Sequence, residues 1–289
     1  MRAFIIYIAK WILILLVLAF AFDYIYTKSF TDNKSRSVYQ IIRGMKKQKY
    51  DYIFLGSSRV KRHINHQLIN KQTGLKGLNL GLSAAGPNEV LLYLETFLAN
   101  QNSCKNIYIE IGDKWNQEYP DSLASVYELP FVHDTTVYNL FSPYDNNISY
   151  KKNIPFYRYA INSTKIGYRA VAANLTDNNI QKTLKFRPYK ETLLNTKPID
   201  TRIKIKHNIC IDRIIDLCKK HDIHLVFFTS PYLKVNDSEY KTFFKANLPQ
   251  YNDFSDAITD STCFRDALHL NEKGANRFTK MVVDSLMKK

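Results

Sequence analysis

Short apolar runs and longer amphipathic ones alternate along this chain. Residues 50–56, 76–82, 105–111 and 223–229 are strand-length and rich in β-branched or aromatic side chains, as in Lys105-Asn106-Ile107-Tyr108-Ile109-Glu110-Ile111. Between them the apolar spacing becomes helical. After Pro87, a good first helical residue, Val90, Tyr93, Leu94, Phe97 and Leu98 fall at i, i+3, i+4, i+7 and i+8. Ile211, Ile214, Ile215 and Cys218 repeat the pattern. Strands alternating with amphipathic helices predict an α/β fold with a central parallel sheet and helices on both faces, in which ligands bind beyond the carboxyl ends of the strands.

Two stretches break the alternation. Residues 3–22 are apolar except for Lys10, and Arg2 and Lys10 lie on the N-terminal side. A spanning helix needs about 20 apolar residues. The run suffices if Lys10 snorkels to the interface, with Tyr24 and Tyr26 as outer interfacial aromatics. The pattern predicts a single-pass signal anchor over 1–27, with the rest of the chain outside the cytoplasm, in the periplasm or at the cell surface. The competing reading is a cleaved export signal, because the uninterrupted run from Trp11 to Phe22 suits a signal-peptide core and Ala19-Phe20-Ala21 supplies small residues for cleavage. Residues 28–49 read as a juxtamembrane linker ending in a short basic helix with Lys46, Lys47 and Lys49, and the folded domain as 50–289. Within it, residues 114 to about 204 carry many aromatics and Pro120, Pro130, Pro143 and Pro155, with no strand period. This stretch reads as an insertion. It either overhangs the ligand crevice and recognises substrate through aromatic faces, or fills the core of a small helical subdomain.

Composition narrows the partners. With 289 residues, 45% of them hydrophobic, the chain can bury a core of domain size. Lys and Arg number 41 against 26 Asp and Glu, a net charge of +15 that favours anionic lipid surfaces, acidic polymers or nucleic acid. Neither zinc-ligand spacing nor a base-stacking motif accompanies the charge, so nucleic acid is not an expected partner. The four cysteines show no disulfide framework and read as free thiols; no metal or cofactor is expected.

Candidate chemistry gathers in two places. Asp266 stands three residues before His269, ahead of a helical pattern, a spacing that lets the carboxylate hold imidazole Nδ1–H and leaves Nε2 as a general base. The alternative is a helix cap with an exposed His. At Gly56-Ser57-Ser58-Arg59 an apolar strand stops at a turn that offers a seryl nucleophile. Arg59, Lys61, Arg62, Lys71 and Lys76 form a stretch without acids, either a solvated helix face or a clamp for anionic substrate. Glu110 and Asp113 flank the end of the third strand, and Asp113 is the better candidate for the cleft. The remaining histidines, His63 among them, read as structural.

Gly56-Ser57-Ser58-Arg59, Asn79-Leu80-Gly81 and Asp266-x-x-His269, in that order, resemble the SGNH hydrolases, also called the GDSL family. The likeness covers roughly 50–112 and 223–289. It is greatest to the membrane-anchored branch containing the D-alanyl transfer protein and alginate-type O-acetyltransferases. The resemblance implies a three-layer, flavodoxin-like sandwich and makes Ser58 the nucleophile, with Ser57 second. Asp266 and His269 complete the triad, and the N–H groups of Ser58 and Gly81 become oxyanion donors. Members carry Gly-x-Asn-Asp after the third strand, whereas this chain has Gly112-Asp113-Lys114-Trp115-Asn116, leaving Asn116 as the displaced candidate for the last donor. The implied function is a serine esterase or O-acyltransferase, moving acetyl to or from a cell-envelope polysaccharide with a membrane acyl-donor partner. The alternative is a silent accessory protein that binds glycan or such a partner.

Overall fold

From its first turn the chain is helical. In the computed structural model, which describes residues 1–32, 37–176, 183–192, 205–233 and 240–287, α1 spans Arg2–Asp32 and α2 Val38–Gly44. Then come β1 (Lys49–Leu55), α3 (Ser58–His63), α4 (His66–Thr73), β2 (Gly77–Asn79), α5 (Pro87–Ala99) and β3 (Ser103–Glu110). Short helices α6 (Thr135–Phe141), α7 (Ile148–Asn153), α8 (Tyr157–Ile161), α9 (Ser163–Ile166) and α10 (Tyr168–Thr176) follow. The chain resumes with α11 (Ile209–Lys220), β4 (His224–Thr229), α12 (Tyr240–Asn247), β5 (Tyr251–Asp253) and α13 (Glu272–Val282). These elements divide into two compact units, 1–44 with 125–183 and 45–124 with 184–289.

The second unit is α/β. Its five strands are all parallel, in the order β2-β1-β3-β4-β5. The four expected strands are present, and β5 is an addition too short to leave a period. β2 is shorter than the 76–82 run because its partner turns away: Leu80 and Leu82 N–H groups still bond to Phe54 and Gly56 carbonyls, but β1 has ended. Strand side chains alternate between faces. Tyr52, Phe54, Tyr108, Val226 and Phe228 pack with Val60 of α3, Ile69 of α4 and Ala275, Phe278 and Val282 of α13. Their buried neighbours Ile53, Leu55, Ile107, Ile109 and Phe227 point to the opposite face, where α11 packs on α5 and β4. The chain leaves β1 for β2 on one side and reaches β3 on the other, so the crevice for ligands opens at the carboxyl ends of β1 and β3.

The first unit corrects the linker expected at 28–49. Helix α1 continues to Asp32, and Val38 to Ile42 of α2 are buried, with the Tyr39 ring set against Phe131 at 5.2 Å. Apolar side chains, not the later lysines, decide the fate of α2. Helix α1 is long and apolar enough to cross a membrane, with mean hydropathy 2.6 over its most apolar window and no burial there. Beyond Phe22 its character changes. Asp23 accepts from the Phe156 backbone N–H at 2.8 Å and from Arg158 at 2.9 Å. Arg158, 1% exposed, also donates to Thr27 Oγ1 at 2.7 Å, and Tyr26 packs against Phe156 and Tyr159 at 5.0 and 5.2 Å. Phe156 adopts a φ of 63°, rare for a bulky residue, in turning its N–H and ring onto α1.

Within the α/β unit, Glu89 ties the start of α5 to the loop after β3. Its carboxylate accepts Gly86 N–H at 2.8 Å and Asp121 N–H at 2.7 Å. Burial nevertheless pushes its pKa up to about 7, against the pull of those bonds. A raised carboxyl pKa contributes stability that is fully present below the unfolded value and lost as pH rises through the folded one. Glu89→Gln is therefore expected to cost most near pH 5 and least near pH 8, the difference shrinking by at most about 1.4 kcal/mol per pH unit. Denaturant midpoints of both chains across that range check this; a pH-independent difference refutes it.

Candidate active site

Gly56 ends β1 with a φ of 145°, and a Cβ there would lie 2.7 Å from Val60 Cγ2, so the turn requires glycine. Ser57 then caps α3, its Oγ accepting Arg59 N–H at 3.2 Å and donating to Glu110 Oε2 at 3.3 Å. Buried and doubly engaged, Ser57 serves the turn. Ser58, the first residue of α3 and half-buried, places Oγ 2.8 Å from His269 Nε2.

His269 is held by a single tight turn. Asp266 Oδ1 accepts the N–H groups of Leu268 and His269, each at 2.9 Å, and the carboxylate faces His269 Nδ1 at 2.9 and 3.1 Å. Arg265 N–H closes the turn on the His269 carbonyl at 2.8 Å. An ionised carboxylate only accepts, so Nδ1 carries the proton and Nε2 presents its lone pair to the Ser58 hydroxyl. Three residues from two distant segments thus form one relay at the carboxyl end of β1.

A second, buried relay lies behind the first. Leu270 N–H donates to His63 Nε2 at 3.0 Å, which fixes the tautomer. His63 Nδ1–H then donates to Ser230 Oγ at 3.2 Å, and Ser230 O–H to Glu110 Oε1 at 3.4 Å. Burial, then the nearby Arg59 and His269, hold the His63 pKa well below its usual value, so the ring is neutral. Glu110, pushed up by burial to about 7 with Arg59 opposing, meets the Arg59 guanidinium at 3.2 Å. Arg59 also donates to the Ser230 carbonyl and lies over the Tyr232 ring at 4.8 Å.

Two expected roles change, those of Arg59 and Gly81. Arg59 is 2% exposed and held by Glu110, Ser230 and Tyr232, with its Nε buried and unpaired, so it braces the site rather than reaching for substrate. Asp113 lies 3.7 Å from Arg59, a distant second counter-charge at the rim of the β1–β3 crevice that Gly56, Ser57 and Gly112 also line. The Gly81 N–H is taken by Asn79 Oδ1 at 2.9 Å, and a Cβ on Gly81 would lie 2.5 Å from Lys61 N, so this glycine admits α3 rather than a substrate oxygen. Asn79 Nδ2 completes that seam with bonds to the Val60 and Ile64 carbonyls. Asn116 Oδ1 accepts Lys206 N–H at 2.9 Å, tying its loop to the segment before α11. The basic run divides likewise: Arg62 stacks on Tyr189 at 4.7 Å, and burial lowers the Lys61 pKa.

Sequence reasoning missed Tyr189. Its ring stands 5.4 Å from His269 and carries Arg62 and Arg265 at 4.7 and 3.9 Å, while its carbonyl accepts Glu272 N–H at 2.7 Å. It walls the histidine, and no local pattern marks it. Neither a protein-family model nor a curated protein matches this chain.

The buried ion pair yields a stability test. Arg59→Met removes the cation that opposes burial of the Glu110 charge and is expected to cost about 3–5 kcal/mol at pH 8, and less at lower pH where the carboxyl takes up a proton. Adding Glu110→Gln should restore part of that loss. Denaturation of the detergent-solubilised chains measures both, and a double variant no more stable than the single one would show that the unpaired charge is not the source.

Proposed function

We propose that this chain is a membrane-anchored serine acyl-transfer enzyme of the SGNH type, an esterase or O-acyltransferase working outside the cytoplasm on an acylated cell-envelope polysaccharide. The observation that carries the reading is the continuous relay from Ser58 Oγ through His269 to Asp266. The parallel sheet in the order 2-1-3-4-5, with Ser58 at the switch point, supports it. Acetyl as the acyl group, and a membrane donor partner, rest on the resemblance of the motifs alone. Arg2 and Lys10 before the apolar stretch support the orientation.

In this mechanism the Ser58 proton passes to His269 Nε2 as Oγ attacks the ester carbonyl. The Ser58 N–H, in a first helical turn where such groups lack an intrahelical acceptor, stabilises the oxyanion. The ester C–O bond breaks, the imidazolium protonates the departing alcohol, and acyl-Ser58 remains. Water as the second acceptor regenerates the enzyme with a free acid; a sugar hydroxyl gives transfer. Asp266 steadies the imidazolium throughout. One observation favours the silent accessory reading: the N–H of Gly81 is spent within the fold.

A fluorophosphonate probe on the full chain in detergent separates the two, and the full chain is needed because Asp23 and Thr27 are built into the first unit. Labelling is expected for the wild type and for Ser57→Ala, and its loss in Ser58→Ala and His269→Ala. A folded wild type that takes no label refutes the enzymatic reading.

A further inference from the structure

Exposed large apolar side chains outside α1 cluster in the first unit. Among the described residues, Tyr144, Tyr150, Ile154, Ile161, Tyr168 and Leu175 lie there, against Tyr119, Leu123 and Ile209 in the second. Scattered exposed residues of this kind are ordinary. Two of these are placed at one particular height. Ile154, 45% exposed, sits two residues before Phe156, whose N–H bonds to Asp23 and whose ring lies 5.8 Å from Phe22. Leu175, 68% exposed, lines a groove that runs along α1 from Tyr24 and Ile25 through Lys28 to Asp32. Tyr24 and Ile25 are themselves 64% and 51% exposed.

That height is where the apolar part of α1 stops. Residues 3–22 cover about 30 Å of helix, the thickness of the hydrocarbon core. Asp23 thus marks the outer boundary; the segment of Ile154 meets it, and Leu175 lies along the groove that begins just beyond it at Tyr24. Lys28 lies five residues further, about 7 Å, within the headgroup layer. Lys152 is two residues from Ile154. From 148 to 176 the chain has Lys151, Lys152, Arg158, Lys165 and Arg169 and no acid. Arg158 is consumed by Asp23 and Lys151 by Asp145.

We propose that the first unit forms a collar seated on an anionic phospholipid surface, with Ile154, Leu175, Tyr24 and Ile25 entering the acyl–headgroup boundary and Lys28 and Lys152 meeting lipid phosphates. Apolar anchors beside cations are the combination that binds such an interface. The chain is thereby held by a ring of contacts around its anchor as well as by the anchor, and the collar cannot swing freely about α1, because Asp23, Thr27 and Tyr26 lock it to the helix.

Nitroxide labels test this on the full chain in vesicles of phosphatidylcholine with and without phosphatidylglycerol. Labels go at Ile154→Cys, Leu175→Cys and, as an aqueous reference on an exposed position of the second unit, Lys219→Cys, each with Cys210→Ser, since the other three cysteines are buried. Power saturation is expected to show several-fold more oxygen than nickel-chelate accessibility at 154 and 175 relative to 219, and deeper immersion in the anionic vesicles. Lys28→Glu with Lys152→Glu should abolish that dependence on lipid charge. Accessibility at both 154 and 175 equal to that at 219 overturns the collar. Equal immersion of the unsubstituted chain in the two vesicle types overturns its preference for anionic lipid.

Discussion

A guanidinium buried one residue after the candidate nucleophile is the constraint around which the α/β unit is arranged. Removing Arg59 from water is tolerable only if a carboxylate and further acceptors come with it. Glu110 arrives from the end of β3, the Ser230 carbonyl from just past β4, and Tyr232 covers the remaining face. Satisfying one cation therefore brings the first turn of α3 against the carboxyl ends of two strands. Ser58 takes its direction from that docking. The histidine takes its own from the same centre, because Glu110 receives Ser230, Ser230 receives His63, and His63 accepts the backbone of the residue after His269. Both arms of the exposed relay are rooted in one buried carboxylate.

What the sequence discloses and what it conceals follow from the range of the interactions. The four longer strand runs, α5 and α11 are legible because a period of two or of 3.6 is a local property. Ser58, Asp266 and His269 are legible for a related reason: a glycine turn after a strand and an Asp-x-x-His turn each complete their geometry within a few residues. Arg59 reads as a surface charge because its neighbours are cations, while its burial is decided by Glu110, 51 positions away. Gly81 matches a motif whose N–H would serve a substrate, yet the rotamer of Asn79 claims that N–H. Tyr189 stands 80 positions before His269 in a stretch without periodicity, and only the folded chain brings the two rings together.

The two units answer different physical demands. The α/β unit buries its polar groups in pairs and relays, and its ionisable core is closed to water. The first unit applies the same solution where α1 joins it, and Arg158 is covered so completely that Asp23 and Thr27 are its required partners. An acid that would end an ordinary apolar stretch becomes the point where the helix joins the fold.

If α1 spans a bilayer as proposed, that junction also determines how the anchor responds to membrane thickness. A plain apolar helix can slide along the bilayer normal to match a thicker or thinner hydrocarbon layer. Here the outer end is pegged by Asp23 and Arg158, so vertical sliding would drag the whole first unit into or out of the interface. Mismatch must be absorbed at the other end, by tilt or by the reach of Lys10 and Arg2 toward the far headgroups. On that reading the protein would carry a fixed outer datum and an adjustable inner one, and bilayers of different thickness would change the lean of α1 while leaving the depth of the proposed collar constant.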